Sequence, residues 1–324
     1  MTLRRYALVA GAALAAAALV PGLATAQDYP GKTVKIVAPV QPGGGVDLVA
    51  RTVAEQLTKS LGQNFIVENV SGGGSVIASQ TVARAAPDGY TLMLGYVATH
   101  GTVPAVRKVP YDAVKDFTPV AMVAGTPNVL VVATSVPATD IKSLVAYAKA
   151  NKLSYGSAGQ GSLTHLAMEQ FRTAAGFDAV HAAYRGIGPA ITDILGGQTQ
   201  MMMPGLAAAV PHIRAGKMKP IAVTGLKRHP LLPDVPTFEE LGYKGFDGVQ
   251  WYGIVGPANL PPAVTKKLND EINKAIGTPE LQKRLSGEAL DVMPMTPEQF
   301  GKFMQADIAK WAKLAKERNI TLEN

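Results

Sequence analysis

Residues 34–51 read VKIVAPVQPGGGVDLVAR, and their reading decides the fold class. Val34, Ile36 and Ala38 share one face of an alternating strand, whereas Val46, Val49, Val53, Leu57 and Leu61 recur at helical spacing. Gln41-Pro42-Gly43-Gly44-Gly45 joins the two patterns. Glycine lets backbone N–H groups approach a ligand closely, and the first N–H groups of a helix have no internal acceptors, so this turn suits an anion. A tight strand-to-helix turn with no ligand explains the same residues equally well.

Three further turns repeat the arrangement. Ser71-Gly72-Gly73-Gly74-Ser75 follows Phe65-Ile66-Val67, Gly156 to Ser162 follows Leu153-Ser154-Tyr155, and Arg185-Gly186-Ile187-Gly188 follows Val180–Tyr184, with Pro189 placed to start a helix. Four strand–loop–helix units predict an α/β chain with its loops at the carboxyl ends of parallel strands, where open α/β sheets bind ligands.

The chain has 324 residues and no cysteine, which excludes disulfides, thiolate metal sites and a cysteine nucleophile. Residues 1–26 read as an export signal, with Arg4-Arg5, an apolar run from Tyr6 to Val20, and Ala24-Thr25-Ala26 before Gln27, so a periplasmic location is expected. The formal charge is +7, of which Arg4 and Arg5 supply two, leaving +5 beyond residue 26. No block of basic residues and no arginine-interleaved aromatic stretch occurs, so a nucleic-acid partner is not expected.

After the second turn a helix ends at Pro87-Asp88-Gly89, and Thr91–Leu94 reads as a buried strand whose exit, Gly95 to His100, is a further candidate rim loop. Phe117–Val123 and Asn128–Ala133 read as two apolar runs broken by Gly125-Thr126-Pro127, and the unit pattern then begins again. Asp140 can cap a helix to about Ala150, and Gln198–Met203 reads as a strand. The proline-rich Leu226–Pro236 suits a return crossing. Two capping boxes, from Thr237 and Thr296, mark helix starts, the second running to about Arg318. The expected organisation is a signal peptide (1–26), a discontinuous domain 1 (27–126 and 231–324) and a domain 2 (127–230), hinged near Gly125–Asn128 and Thr224–Pro230.

With these segments in place, the chain resembles the extracytoplasmic receptors of tripartite tricarboxylate transporters, the Bug family, over nearly all of Tyr29–Asn324. The resemblance is carried by Pro42-Gly43-Gly44 with Asp47, by Asn69, Gly72, Gly74 and Pro87-Asp88-Gly89-Tyr90-Thr91-Leu92, and by Gly156-Ser157, Gly159, Gly161-Ser162 and His165-Leu166. Tyr184-Arg185-Gly186, Pro189-Ala190, Asp193, Gly196-Gly197 and Pro233-Asp234-Val235-Pro236-Thr237 extend it; Ser75 and Ala78 stand where the family usually has glycine. It implies a type II-like periplasmic binding fold, two α/β domains closing on a small carboxylate, and membrane components of a transporter or a sensor as partners. In the family one carboxylate is typically held by backbone N–H groups and hydroxyls from a loop of each domain. Here those would be Gly43, Gly44, Gly45 and Gly161 for N–H groups and Ser157, Ser162 and Thr164 for hydroxyls.

The remaining candidates each have a plain alternative. Asp47 could order a water or ligand hydroxyl, or simply pair with Arg51 one turn on. Tyr96, Thr99 and Trp251 could shape the ligand or sit in the core. Asp193, between Ile191 and Ile194-Leu195, is a ligand candidate whose default reading is a helix-surface carboxylate. Ser162 and His165 raise a secreted serine hydrolase as the competing function, without the G-x-S-x-G elbow. A dinucleotide enzyme lacks the G-x-G-x-x-G spacing. The five histidines show no H-E-x-x-H pattern, so neither metal nor cofactor is expected, and a non-enzymatic monomer is the default.

Overall fold

Strand β1 (Val34–Ala38) leaves Val34, Ile36, Val37 and Ala38 almost completely buried, as a run of branched and small apolar residues covered on both faces should be. In the computed structural model residues 29–317 are described; residues 1–28, with the expected export signal, and the residues after Glu317 lie outside them. Tyr29–Gly31 are the described part of an N-terminal unit of their own, and both sheets lie in the unit that begins at Lys32.

The first sheet joins β1 to β2 (Phe65–Asn69), β3 (Thr91–Tyr96), β4 (Phe117–Pro127), β10 (Val249–Pro257) and β11 (Asp291–Val292), in the order β11-β4-β10-β3-β1-β2. The second joins β5 (Val129–Ala133), β6 (Leu153–Ser157), β7 (Ala179–Ala183), β8 (Met201–Met202) and β9 (Met218–Val223), in the order β7-β6-β8-β5-β9. Both sheets are mixed: β1 pairs parallel with β2 and β3, and β6 with β7 and β8, as the strand–loop–helix units predict, whereas β10 pairs antiparallel with β3 and β4, and β5 with β8 and β9.

Local chemistry explains the element ends. The helix Gly45–Leu61 buries Val46, Val49, Val53 and Leu57 and is closed by Gly62 in the left-handed conformation. Asp140 caps the helix Ile141–Ala150 through Ser143 N–H, and the Thr296 box opens the helix Pro297–Glu317, which buries Phe300, Met304 and Trp311.

Four expectations change. β4 runs through Gly125-Thr126-Pro127 without a break, because these residues pair with Val249, Gln250 and Trp251. The expected rim loop after β3 is instead a fully buried π-helical turn, Ala98–Thr102. The Thr237 box forms with Glu240 but closes a turn, not a helix. Only Met201–Met202 of the expected strand Gln198–Met203 pairs as one.

Leu232, Val235, Phe238 and Phe246 pack into the same core as β5 and β9, so the chain regains the first sheet only at Val249. At the crossing, Thr224 Oγ1 accepts from Asn128 N–H at 2.8 Å and donates to the Gly248 carbonyl at 2.9 Å. One hydroxyl thus ties together the two segments that link the sheets.

Candidate functional site

The turn that follows β1 meets the turn that follows β7 across a cleft that the loop after β6 also lines. A Cβ built on Gly44 would lie 2.6 Å from Ile187 Cγ2, and one on Gly188 would lie 3.1 Å from the Pro42 carbonyl oxygen. Between the turns remains a cavity of about 30 Å³, room for a water molecule or two. As it stands the cavity is too small for anything larger.

Four helices begin at this cavity. Gly44 caps Gly45–Leu61, Ser162 caps Leu163–Ala175, Gly186 caps Ile187–Leu195 and Gly205 caps Leu206–Arg214. Residues at each of these starts line the cavity. Three of the caps are glycines and make no side-chain cap bond, so first-turn N–H groups of the helix Gly45–Leu61 and those of Ile187 and Gly188 keep the donor capacity that a serine or aspartate would take up, whereas Pro189 has no N–H and Ala207 N–H already donates to Thr126 Oγ1 at 3.3 Å. The four macrodipoles point their positive ends inward, and no lysine or arginine lines the space.

Of the residues expected from sequence, Gly44, Gly45, Tyr96, Ser162 and Thr164 line the cavity. The hydroxyls among them are already engaged. Ser162 Oγ donates to the Gly159 carbonyl at 2.6 Å, and Thr164 Oγ1 accepts from Ala158 N–H at 2.9 Å. Tyr96 Oη and Ser75 Oγ lie 2.9 Å apart, and Ser75 donates to the Pro39 carbonyl. Burial pushes the Tyr96 phenol up to about 12, so it is a neutral hydroxyl.

The other candidates do not line it. Gly43 N–H donates to Asp47 Oδ2, and Gly161 N–H to His165 Nδ1, so these two expected ligand donors serve their own loops. Asp47 also accepts from Arg51 and Asn69. Burial would raise its carboxyl, but hydrogen bonds from Arg51, Asn69 and Gly43 hold it below the usual range. Ser157 is fully buried, with its Oγ 2.7 Å from His181 Nε2. Thr99 bonds the backbone of Tyr96, and Trp251 turns into the core, donating to Asp307. Asp193 accepts from Tyr184 Oη in an outer groove beside Gly43.

The Ser162–His165 pair required by a hydrolase does not form. Ser162 Oγ meets the backbone N–H of His165, whose ring instead takes Gly161 N–H and stacks on His181 at 4.0 Å. Burial, first, and then the neighbouring His181 hold His165 down to about 4, so the ring is neutral at pH 7. Among the described residues no group of three or more histidine or acidic side chains is placed to hold a metal.

Sequence reasoning missed Ile187, Gly205, Ala208, Gln250 and Tyr252, all of which line the cavity. Gly205 carried a legible signal, a glycine directly before a helical run; Gln250 and Tyr252 carried none beyond lying on a strand.

Fold and site define a two-lobed solute-binding protein with a positively polarised cleft. Residues 49–320 match the family described as "Tripartite tricarboxylate transporter family receptor", and the chain belongs to that family. It is 31% identical to protein BugT of Bordetella pertussis over 100% of both chains. An R. palustris protein solved with adipate is 33% identical with a TM-score of 0.88, covering 91% of this chain and 99% of that one. MatC from Rhodopseudomonas palustris, with bound malate, is 32% identical with a TM-score of 0.85, covering 88% and 99%. The solved relatives include periplasmic binding and transport proteins, and none of these likenesses brings catalysis with it.

Proposed function

We propose that this protein captures a small carboxylate in the periplasm and presents it to membrane components of a transporter or to a sensor. The observation that carries the reading is the meeting of four helix N-termini, three of them glycine-capped, around one cavity. Several backbone N–H donors and aligned dipoles can offset the cost of taking a carboxylate out of water without a cationic partner. The adipate and malate bound by two relatives support the same class of ligand.

The two sheets and their helices act as lobes in this proposal, residues 32–127 with 249–317 against residues 128–248, the return lying later than the proline-rich stretch suggests. They hinge at the crossing tied by Thr224. Calorimetric titration with mono-, di- and tricarboxylates, paired with small-angle scattering, tests both parts. A saturable carboxylate should bind and reduce the radius of gyration. Failure of every carboxylate to bind would sink the proposal; binding without compaction would remove the hinge.

A further inference from the structure

Gln250, Trp251 and Tyr252 alternate across β10. Trp251 packs edge-on against Phe300 and Phe303 in the core, while Gln250 and Tyr252 take the opposite face and line the cavity. Both are buried, 8% and 2% exposed. Gln250 Oε1 is enclosed and has no hydrogen-bond partner among the described residues. The Tyr252 hydroxyl likewise makes no hydrogen bond among them.

The two side chains flank the helix starts. A Cβ built on Gly45 would lie 2.5 Å from Tyr252 Oη, so the phenol stands beside the first N–H groups of the helix Gly45–Leu61. A Cβ on Gly205 would lie 3.5 Å from Gln250 Cγ, beside a second glycine-capped helix. Buried polar groups in folded proteins are almost always paired, and a buried acceptor with no donor at the edge of a binding cavity calls for a donor from the ligand.

We infer that Gln250 and Tyr252 read a hydroxyl group carried on the ligand next to its captured carboxylate, so that the preferred class is a small hydroxycarboxylate. The inference rests on carboxylate capture at this cavity and adds what the neighbouring group must be. A hydroxyl both donates and accepts, so it can serve the Gln250 amide and the Tyr252 phenol together. An alkyl hydrogen would leave the amide oxygen unpaired. A second carboxylate could accept from the Tyr252 phenol but would set an acceptor against the unpaired Gln250 amide oxygen. An ammonium group would place positive charge among four helix N-termini, which oppose it.

The test is calorimetric titration of the exported chain with matched acids: lactate, propionate and alanine, then malate and succinate. The hydroxy acid of a pair should bind roughly tenfold to a hundredfold more tightly than its deoxy partner, and alanine more weakly than lactate. Gln250→Leu, close in size and apolar, should erase that preference without lowering the melting temperature, since it removes an unpaired buried group. Tyr252→Phe keeps the ring packed, removes only the hydroxyl, and should narrow the preference even if Gln250→Leu folds poorly. Equal affinity for hydroxy and deoxy acids in the unaltered protein, or a preference that survives both substitutions, would overturn the inference while leaving carboxylate capture intact. No binding of any of these acids or of other carboxylates would overturn both.

Discussion

Gln41–Gly45 and Ser157–Ser162 each lead a strand of one sheet into a helix, yet they treat their own polar groups in opposite ways. In the first turn the helix cap is Gly44, and the polar residues Asp47, Arg51 and Asn69 are bonded to one another and to Gly43. The first-turn donors of its helix are left for whatever enters the cleft. In the second turn Ser162, Thr164, His165 and Ser157 all bond inward, to Gly159, Ala158, Gly161 and His181. The first turn offers its backbone and the second fixes its own shape. Hydroxyls beside glycines therefore mark loop rigidity as readily as ligand contact, and only the bonding pattern separates the two.

The largest effect should come from the open turn. Gly44 has φ −118°, which any residue adopts, but an added side chain would run into Ile187 across the cleft. Gly44→Val should weaken carboxylate binding at least a hundredfold by calorimetry while leaving the melting temperature within a few degrees of the original. Unchanged affinity would show that the lobes need not close this tightly.

The buried turn should show itself through pH. His165 is held at about 4 against an ordinary 6.5, so below pH 6.5 the unfolded chain takes up a proton that the folded chain refuses. Its stabilising contribution is complete above about pH 6.5, declines as pH falls, and is gone by about pH 4. The loss is on the order of 3 kcal/mol at most. His181, also lowered by burial, adds to it, as does His100 elsewhere in the core, and Glu169 near the ring works against it. Chemical denaturation of the original protein and of His165→Gln across pH 4–7 should give a shallower pH slope for the variant; identical slopes would remove His165 from the account.

Ser162→Ala should have the smallest effect on binding. Its hydroxyl caps a helix and bonds Gly159, so its loss should cost about 1 kcal/mol of stability and, by loosening the turn, less than tenfold in affinity. A hundredfold loss of affinity with stability intact would make Ser162 a direct ligand contact and erase the contrast between the turns.

The sequence by itself determined what depends on near neighbours: strands from alternation, helices from their apolar spacing, four glycine-marked turns, and the absence of cysteine chemistry. Gly44, Gly45, Ser162 and Thr164 were legible as site residues because each lies within a few positions of a helix start. Only the tertiary structure decided which polar groups were already bonded, that Gly205, which follows β8, joins the same cavity, and which face of β10 looks inward. That last choice exchanged Trp251 for Gln250 and Tyr252. Side-chain facing follows pairing register, and β10 pairs with two strands and shifts register against β4 after Tyr252, so no local pattern could give its parity.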